Sequence, residues 1–157
     1  MANESQYPST LPKYRRLPVV SGIGATLTLG EDQSGSLVLL DRAGGSTITL
    51  PKTPRVGTFF DFACSVTNTT PSYKVITGSA SELMVGSFIN CDTDTSDTVA
   101  IWKGLVASSY ISVILNGTTT GGIKGDSFRC TCLNSTTWLV TGVTNATSTV
   151  ATPFSAS

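Results

Sequence analysis

The sequence predicts an all-β domain, and composition and patterning both support this. Charged residues make up 13% of the 157-residue chain, about half the usual share, and threonine, serine, glycine and asparagine take their place. That composition favours strands and tight turns, because helices draw on alanine, leucine, glutamate, lysine and arginine. Short apolar–polar alternations recur between turn clusters, and no stretch shows a 3.6-residue period. We therefore predict a single β-sandwich or β-barrel, jelly-roll-like, with extended N- and C-terminal arms.

The chain divides into an arm over residues 1–19, a β body over 20–144 and a C-terminal extension over 145–157. The first segment contains three prolines, which fix the backbone and remove donors, so we expect extended chain there. Two interpretations of it remain open: a disordered tail, or a strap on a neighbouring subunit. Tyrosine and leucine between the prolines favour the strap, since disordered tails are poor in aromatics.

Ten segments have strand-like patterns, near residues 25–29, 36–41, 46–50, 58–67, 73–77, 83–89, 98–102, 110–116, 127–133 and 137–144. The alternation is clearest in "TFFDFACSV", which places Phe60, Phe62, Cys64 and Val66 on one face. "SFRCTC" and "TWLVTGV" repeat the pattern, with Phe128, Cys130, Cys132, Trp138 and Val140 predicted to point inward.

The stretch "DRAGG", residues 41–45, lies between two predicted strands and contains charges and paired glycines. We interpret it as the turn of a hairpin, in which Asp41 accepts hydrogen bonds from turn amides and the glycines adopt positive φ. A phosphate-binding loop would be longer and would open a helix, and no helix is predicted after it.

Two further loops contain candidate site residues. In "CDTDTSD", Asp92, Asp94 and Ser96 alternate as calcium ligands do, but Asp97 replaces the required glycine and Lys103 the bidentate glutamate. An EF-hand is excluded, a solvated loop is the favoured interpretation, and metal binding over residues 92–97 stays open. "NGTTTGG", residues 116–122, is expected to be a flexible hairpin loop.

Several classes of function are disfavoured by composition. The chain has no histidine, which removes Ser-His-Asp and Cys-His catalysis and most catalytic zinc sites. Ten basic and ten acidic residues cancel, which argues against a nucleic-acid partner. No apolar run is long enough to cross a membrane, and we expect no signal peptide. The four cysteines permit disulfides, but we favour small buried thiols.

The series "LLDRAGGSTITLP", "GTFFDFACSVT", "SYKVIT", "LNGTTTGG", "TTWLVTGV" and "ATPF" resembles a group of short β-rich proteins of tailed phages. This group is common in phages of marine bacteria and cyanobacteria, and its members are virion proteins of the head-decoration, or cement, type. The resemblance covers about residues 25–154. It implies a non-enzymatic structural protein without cofactor or metal, made in the host cytoplasm and placed on the phage head.

The partners that the resemblance implies are the major capsid protein and further copies of the chain, in a homotrimer. On this interpretation the extended ends bind neighbours, and the predicted partner-binding residues are Tyr7, Leu11, Lys13, Tyr14, Arg15, Arg16 and Phe154.

The alternative is a trimeric tail-fibre or spike domain that binds a host-surface glycan through Trp102, Tyr110 and the loops near 92–97 and 117–122. A glycan-degrading enzyme is the least favoured hypothesis, because histidine is absent and glutamate is scarce.

Overall fold

The computed structural model describes residues 17–94 and 98–157. They form a β-sandwich of a seven-stranded and a five-stranded sheet, with two short 3₁₀ turns at Glu31–Gln33 and Val106–Ser108. The strands are β1 (Val19–Val20), β2 (Thr26–Thr28), β3 (Leu37–Leu40), β4 (Thr47–Thr49), β5 (Phe59–Cys64), β6 (Tyr73–Ile76), β7 (Leu83–Asp92), β8 (Val99–Gly104), β9 (Ser112–Leu115), β10 (Ser127–Asn134), β11 (Thr137–Ala146) and β12 (Phe154–Ser155).

The first six strands wind as a flattened coil. Odd-numbered strands β1, β3 and β5 lie in the seven-stranded sheet, even-numbered strands β2, β4 and β6 lie in the five-stranded sheet, and neighbours within each set pair in parallel. Each connection therefore crosses from one sheet to the other, as parallel strands require, because a tight hairpin can join only antiparallel strands.

The last six strands complete both sheets with mostly antiparallel pairs. The order in the seven-stranded sheet is β1-β3-β5-β10-β11-β7-β8, and in the five-stranded sheet it is β12-β9-β6-β4-β2. The longest pairing is parallel, between β7 and β11. The sheet edges are thus β1 and β8 in one sheet and β12 and β2 in the other.

The core lies between the inner faces of the two sheets. Phe60, Phe62, Cys130, Trp138 and Val140 are all buried there, which confirms the inward faces predicted from alternation. The rings of Phe62 and Phe128 stack with centroids 4.7 Å apart. Val66, predicted on the same face as Phe62, is instead exposed, because β5 ends at Cys64.

The prediction of an all-β sandwich is confirmed, and each of the ten predicted strand segments overlaps an observed strand. The likeness to a jelly roll is not, because a jelly roll is antiparallel whereas the first six strands pair in parallel. The hairpin interpretation of residues 41–45 was wrong as well. Strand β3 belongs to the seven-stranded sheet and β4 to the five-stranded sheet, so this turn carries the chain between layers.

The C-terminal segment is part of the body instead of an extended arm. Strand β11 continues to Ala146, and β12 pairs with β9 through Phe154 and Val113. Residue Phe154 is buried and its ring packs against those of Phe88 and Tyr110, at centroid distances of 5.3 and 5.5 Å. The prediction that Phe154 binds a partner is therefore corrected: it anchors the chain's own end.

Candidate interaction surface

The outer face of the seven-stranded sheet, hereafter the broad face, carries side chains in rows that run across the strands. The register of the strand pairs places one largely apolar row over six strands: Leu39, Ala63, Ser127, Val143, Ile89 and Ile101. A second, shorter apolar row contains Phe59, Thr131, Leu139 and Val85. Outward positions of a solvated sheet are usually polar, so these rows mark the broad face as unusual.

A polar row separates the two apolar rows, and an ion pair lies in it. Arg129 donates from Nε to Oδ1 of Asp61 at 2.6 Å and from Nη2 to Oδ2 at 2.7 Å. Its guanidinium carbon lies 4.6 Å from the ring centroid of Phe59. These hydrogen bonds, which the Asp61 carboxylate accepts, raise the pKa of Arg129 above its ordinary value. The two-point contact fixes the orientation of Arg129 on an otherwise mostly uncharged surface.

An open groove of about 570 Å³ runs over strands β3, β5, β10, β11 and β7. Its floor includes Leu37, Ala63, Thr141 and Val143 together with the Asp61–Arg129 pair. The groove lies on a sheet surface and is open to solvent along its length. Such a shape suits a surface of another protein better than a small molecule, which proteins usually enclose in a deep pocket.

The outer face of the five-stranded sheet, hereafter the threonine face, has a different character. Thr26, Thr28, Thr47 and Thr49 occupy adjacent outward positions of β2 and β4. Lys74 and Ile76 continue the two rows on β6. Threonine suits a strand and keeps its hydroxyl in water, so this face is compatible with permanent exposure.

Two buried carboxylates are held by hydrogen bonds from the chain itself. Glu82 accepts from the backbone amide of Thr53 at 2.7 Å and from Nε1 of Trp138 at 3.1 Å. Asp126 accepts four hydrogen bonds at 2.7–3.0 Å, from the amides of Gly122 and Ile123 and from the amide and side chain of Asn145. Burial raises the pKa of Asp126, and those hydrogen bonds oppose the rise. Both groups are structural, and the sequence reasoning did not single out either one.

The turn at residues 41–45 connects β3 in the seven-stranded sheet to β4 in the five-stranded sheet. The carboxylate of Asp41 accepts hydrogen bonds from the amides of Gly22 and Ile23, which lie between β1 and β2, and not from the amides of its own turn. Arg42 donates to the carbonyl of Gly44 at 2.9 Å. Gly45 has φ +66°, and a Cβ there would lie 2.0 Å from the carbonyl oxygen of Pro71. The prediction that this stretch forms a turn is confirmed, and its contacts are with neighbouring backbone of the chain itself.

The segment "NGTTTGG" is a bridge between the two sheets and not a hairpin loop, since β9 and β10 lie in different sheets. Oδ1 of Asn116 accepts from the amides of Thr118, Thr119 and Thr120 at 2.8–3.1 Å. Gly121 and Gly122 are buried, both with positive φ. The expected flexible loop is therefore an ordered one, tied to the core.

The aromatic residues of the glycan hypothesis pack against the core. Tyr110 stacks on Phe154, and Trp102 lies on the inner side of β8, half-buried, with Nε1 buried and unpaired. Neither ring is presented as a free platform. Of the acidic loop near 92–97, residues 95–97 lie outside the described part, and the buried side chain of Asp92 caps the amide of Asp94 at 3.0 Å.

Among residues 17–94 and 98–157 no group of three or more metal-ligating side chains occurs. Within the same residues no helix is long and apolar enough to cross a membrane. All four cysteines are free thiols; Cys64, Cys130 and Cys132 are buried, as expected, and Cys91 is half-buried on the broad face. Burial raises the pKa of Cys64 to about 12.

Six of the predicted partner-binding residues lie outside the described residues: Tyr7, Leu11, Lys13, Tyr14, Arg15 and Arg16. The arm joins the body at β1, an edge of the seven-stranded sheet, where Leu17 and Val19 are exposed. The sequence reasoning missed the broad face. Its signal was present in strands such as β3 and β7, where apolar residues occupy the outward positions as well as the inward ones.

Comparison with known proteins gives no relative. No protein-family model, no curated protein and no solved structure matches this chain. The broad face and its rows therefore have to be interpreted from their own chemistry.

Proposed function

We propose that this protein is a non-enzymatic structural protein of a tailed-phage particle, a decoration or cement protein that binds and stabilises the head shell. The observation that carries a structural role is the broad face, where two apolar rows flank an ion pair in an open groove. Water-exposed apolar area is unfavourable by roughly 25 cal/mol per Å². A face of this kind gains free energy when another protein covers it.

We propose the phage head shell as the binding target because of the resemblance stated above. The neutral charge and the two-layer β body are compatible with it, because a cement protein bridges subunits and performs no chemistry. The N-terminal arm adds a second contact, since an extended segment can pair with an exposed sheet edge of a neighbour. In an oligomer, several arms engage one shell at once and weak contacts multiply.

The tail-fibre alternative receives less support from the described residues. Its sugar-stacking platform depended on Trp102 and Tyr110, which pack against the core. We therefore keep the head as the proposed location and use the tail as an outcome of the test.

The location is tested by immunogold labelling of particles of the phage that encodes this chain. Label distributed in many copies over the head supports the proposal. Label confined to the tail favours the fibre hypothesis, and absence of label from particles contradicts both.

Binding is tested with heads from a phage in which this gene is deleted. We expect the full chain to bind them, and deletion of residues 1–16 or the substitution Val143→Glu on the broad face to abolish binding. Thr49→Glu on the threonine face is the matched control and should bind as the wild type does. Undiminished binding by both the truncated chain and Val143→Glu would contradict the proposed surfaces.

A further inference from the structure

The apolar row of the broad face ends at a sheet edge with which no other strand of residues 17–94 and 98–157 pairs. The last strand there is β8, and its outward side chains Val99 and Ile101 are 65% and 63% exposed. Ile89, on the neighbouring strand β7, pairs with Ile101 and is 41% exposed. Leu105 and Val106, which follow β8 directly, are also exposed. We call these five residues the β8 margin.

The four sheet edges of the described residues differ in how they are protected. Strands β1 and β12 each have two residues and β2 has three, and β1 is preceded by Pro18. Natural edges are blunted by shortness, proline, charge or bulges. Strand β8 has six residues, "VAIWKG", without proline and with Lys103 as its one charge. Its register with β7 runs from Val99 to Gly104 without a shift. It is thus the edge most able to pair with another strand.

We propose that the β8 margin is where a second copy of this chain docks, with the two β8 strands paired antiparallel across a twofold axis. The two sheets would then form one continuous sheet, with both broad faces on the same side. This inference does not depend on the phage assignment, and it replaces the threefold symmetry that the resemblance implies with a twofold one.

The sequence of β8 is self-complementary in this arrangement. With the axis at Ile101, each Ile101 lies opposite its symmetry mate, and Val99 lies opposite Lys103 of the partner subunit. The apolar row then runs without a break from Val143 and Ile89 through Ile101 into the second copy. A twofold interface uses the same patch on both subunits, and here no like charges face each other.

Charge and chemistry favour a second copy over a different partner. The unpaired backbone N–H and C=O groups along an edge strand form hydrogen bonds readily with another strand. The β8 strand of a second copy can supply that strand. The chain has zero formal net charge, so two copies meet without the long-range repulsion that separates strongly charged proteins. Apolar cross-strand pairs between β-branched residues add to the backbone hydrogen bonds of such a pairing.

The test is sedimentation velocity of the full chain from low micromolar to near-millimolar concentration. We expect a monomer–dimer equilibrium for the wild type. Ile101→Lys places like charges opposite each other and should weaken dimerisation at least about tenfold. Val19→Lys changes an apolar position on the other edge of the same sheet, where Val19 is 55% exposed. It is the matched control and should dimerise normally.

Far-UV circular dichroism and thermal unfolding of both variants establish that they are folded. A second readout is hydrogen exchange of the backbone amides of β8, whose outer edge the pairing would cover. Their exchange should slow as the wild-type concentration rises, and this protection should vanish in Ile101→Lys. A wild type that stays monomeric, a wild type that forms a trimer, or an Ile101→Lys variant that dimerises as the wild type does would each overturn the proposal.

Discussion

The two outer faces of the sandwich cover the same core but expose different side chains to water. The threonine face places Thr26, Thr28, Thr47 and Thr49 in adjacent outward positions, where hydroxyls stay hydrated. The broad face places Val143, Ile89 and Ile101 in one row, with nothing of the described chain above them. These three side chains lie outside the buried core cluster between the sheets. This difference is the basis for proposing that the broad face contacts another molecule.

The largest expected effect is a difference in stability between substitutions on the inner and the outer side of β5. Phe62→Ala should lower the free energy of unfolding by about 3–5 kcal/mol, because it removes a buried ring and leaves a cavity. Phe59→Ala, on the outer side of β5, should cost clearly less, since that ring is half-buried under Arg129. Urea unfolding measures both. Equal losses would show that the broad face contributes to the core and would remove the argument for docking.

The second prediction concerns the same inner face at alkaline pH. Burial raises the pKa of Cys64 from 9.0 to about 12. Above pH 9 the unfolded chain loses this proton while the folded chain keeps it, so the folded state binds more protons and stability falls as pH rises. The slope contributed is at most about 1.4 kcal/mol per pH unit.

Urea unfolding between pH 8 and 11 checks this slope in the wild type and in Cys64→Ala, which should have a shallower one. Cys91→Ala, on the broad face, controls for the loss of a thiol outside the core. An unchanged slope in Cys64→Ala would show that this thiol is not responsible.

The third prediction concerns a double variant that makes the threonine face more apolar, as the broad face is. Thr47→Val with Thr49→Val should leave stability within about 1 kcal/mol, because β-branched residues suit strands with either side chain. The double variant should bind more of a hydrophobic dye and should self-associate more than the wild type, since it creates an apolar row beside Ile76. If association does not change, exposed apolar rows are not sufficient for docking in this fold.

The smallest expected effect sharpens the description of the polar row. Arg129→Lys removes the two-point contact with Asp61 but keeps the charge. Because the pair is on the surface, the loss should be below about 1 kcal/mol and should shrink at high salt. Urea unfolding at low and high ionic strength measures it. A loss that persists in high salt would indicate a packing role for Arg129 over Phe59 instead of an electrostatic one.

Much of the fold was predictable from local pattern, and the errors share one cause. Alternation identified ten strands and the inward residues Phe60, Phe62, Cys130 and Trp138, because side chains alternate with a period of two. The hairpin at residues 41–45 was wrong because a short polar turn can reverse a chain within one sheet or step between two. Phe154 was read as a partner anchor because an isolated aromatic in a polar tail gives no sign of what it packs against.

The candidate surface was less predictable than the fold. The outward apolar residues of β3, β7 and β11 are visible in the sequence, but each strand alone shows only a few of them. They become a row when the register aligns Leu39, Val143, Ile89 and Ile101 across non-consecutive strands.

The sequence by itself determined the β class, the inward sides of β5, β10 and β11 and the absence of histidine, because composition and a two-residue period are local properties of the chain. The tertiary structure alone decided the parallel coil, the burial of Phe154 and the union of scattered outward residues into one apolar face. Those features depend on contacts between strands far apart in sequence, and a local pattern does not specify which of several compatible strands will pair.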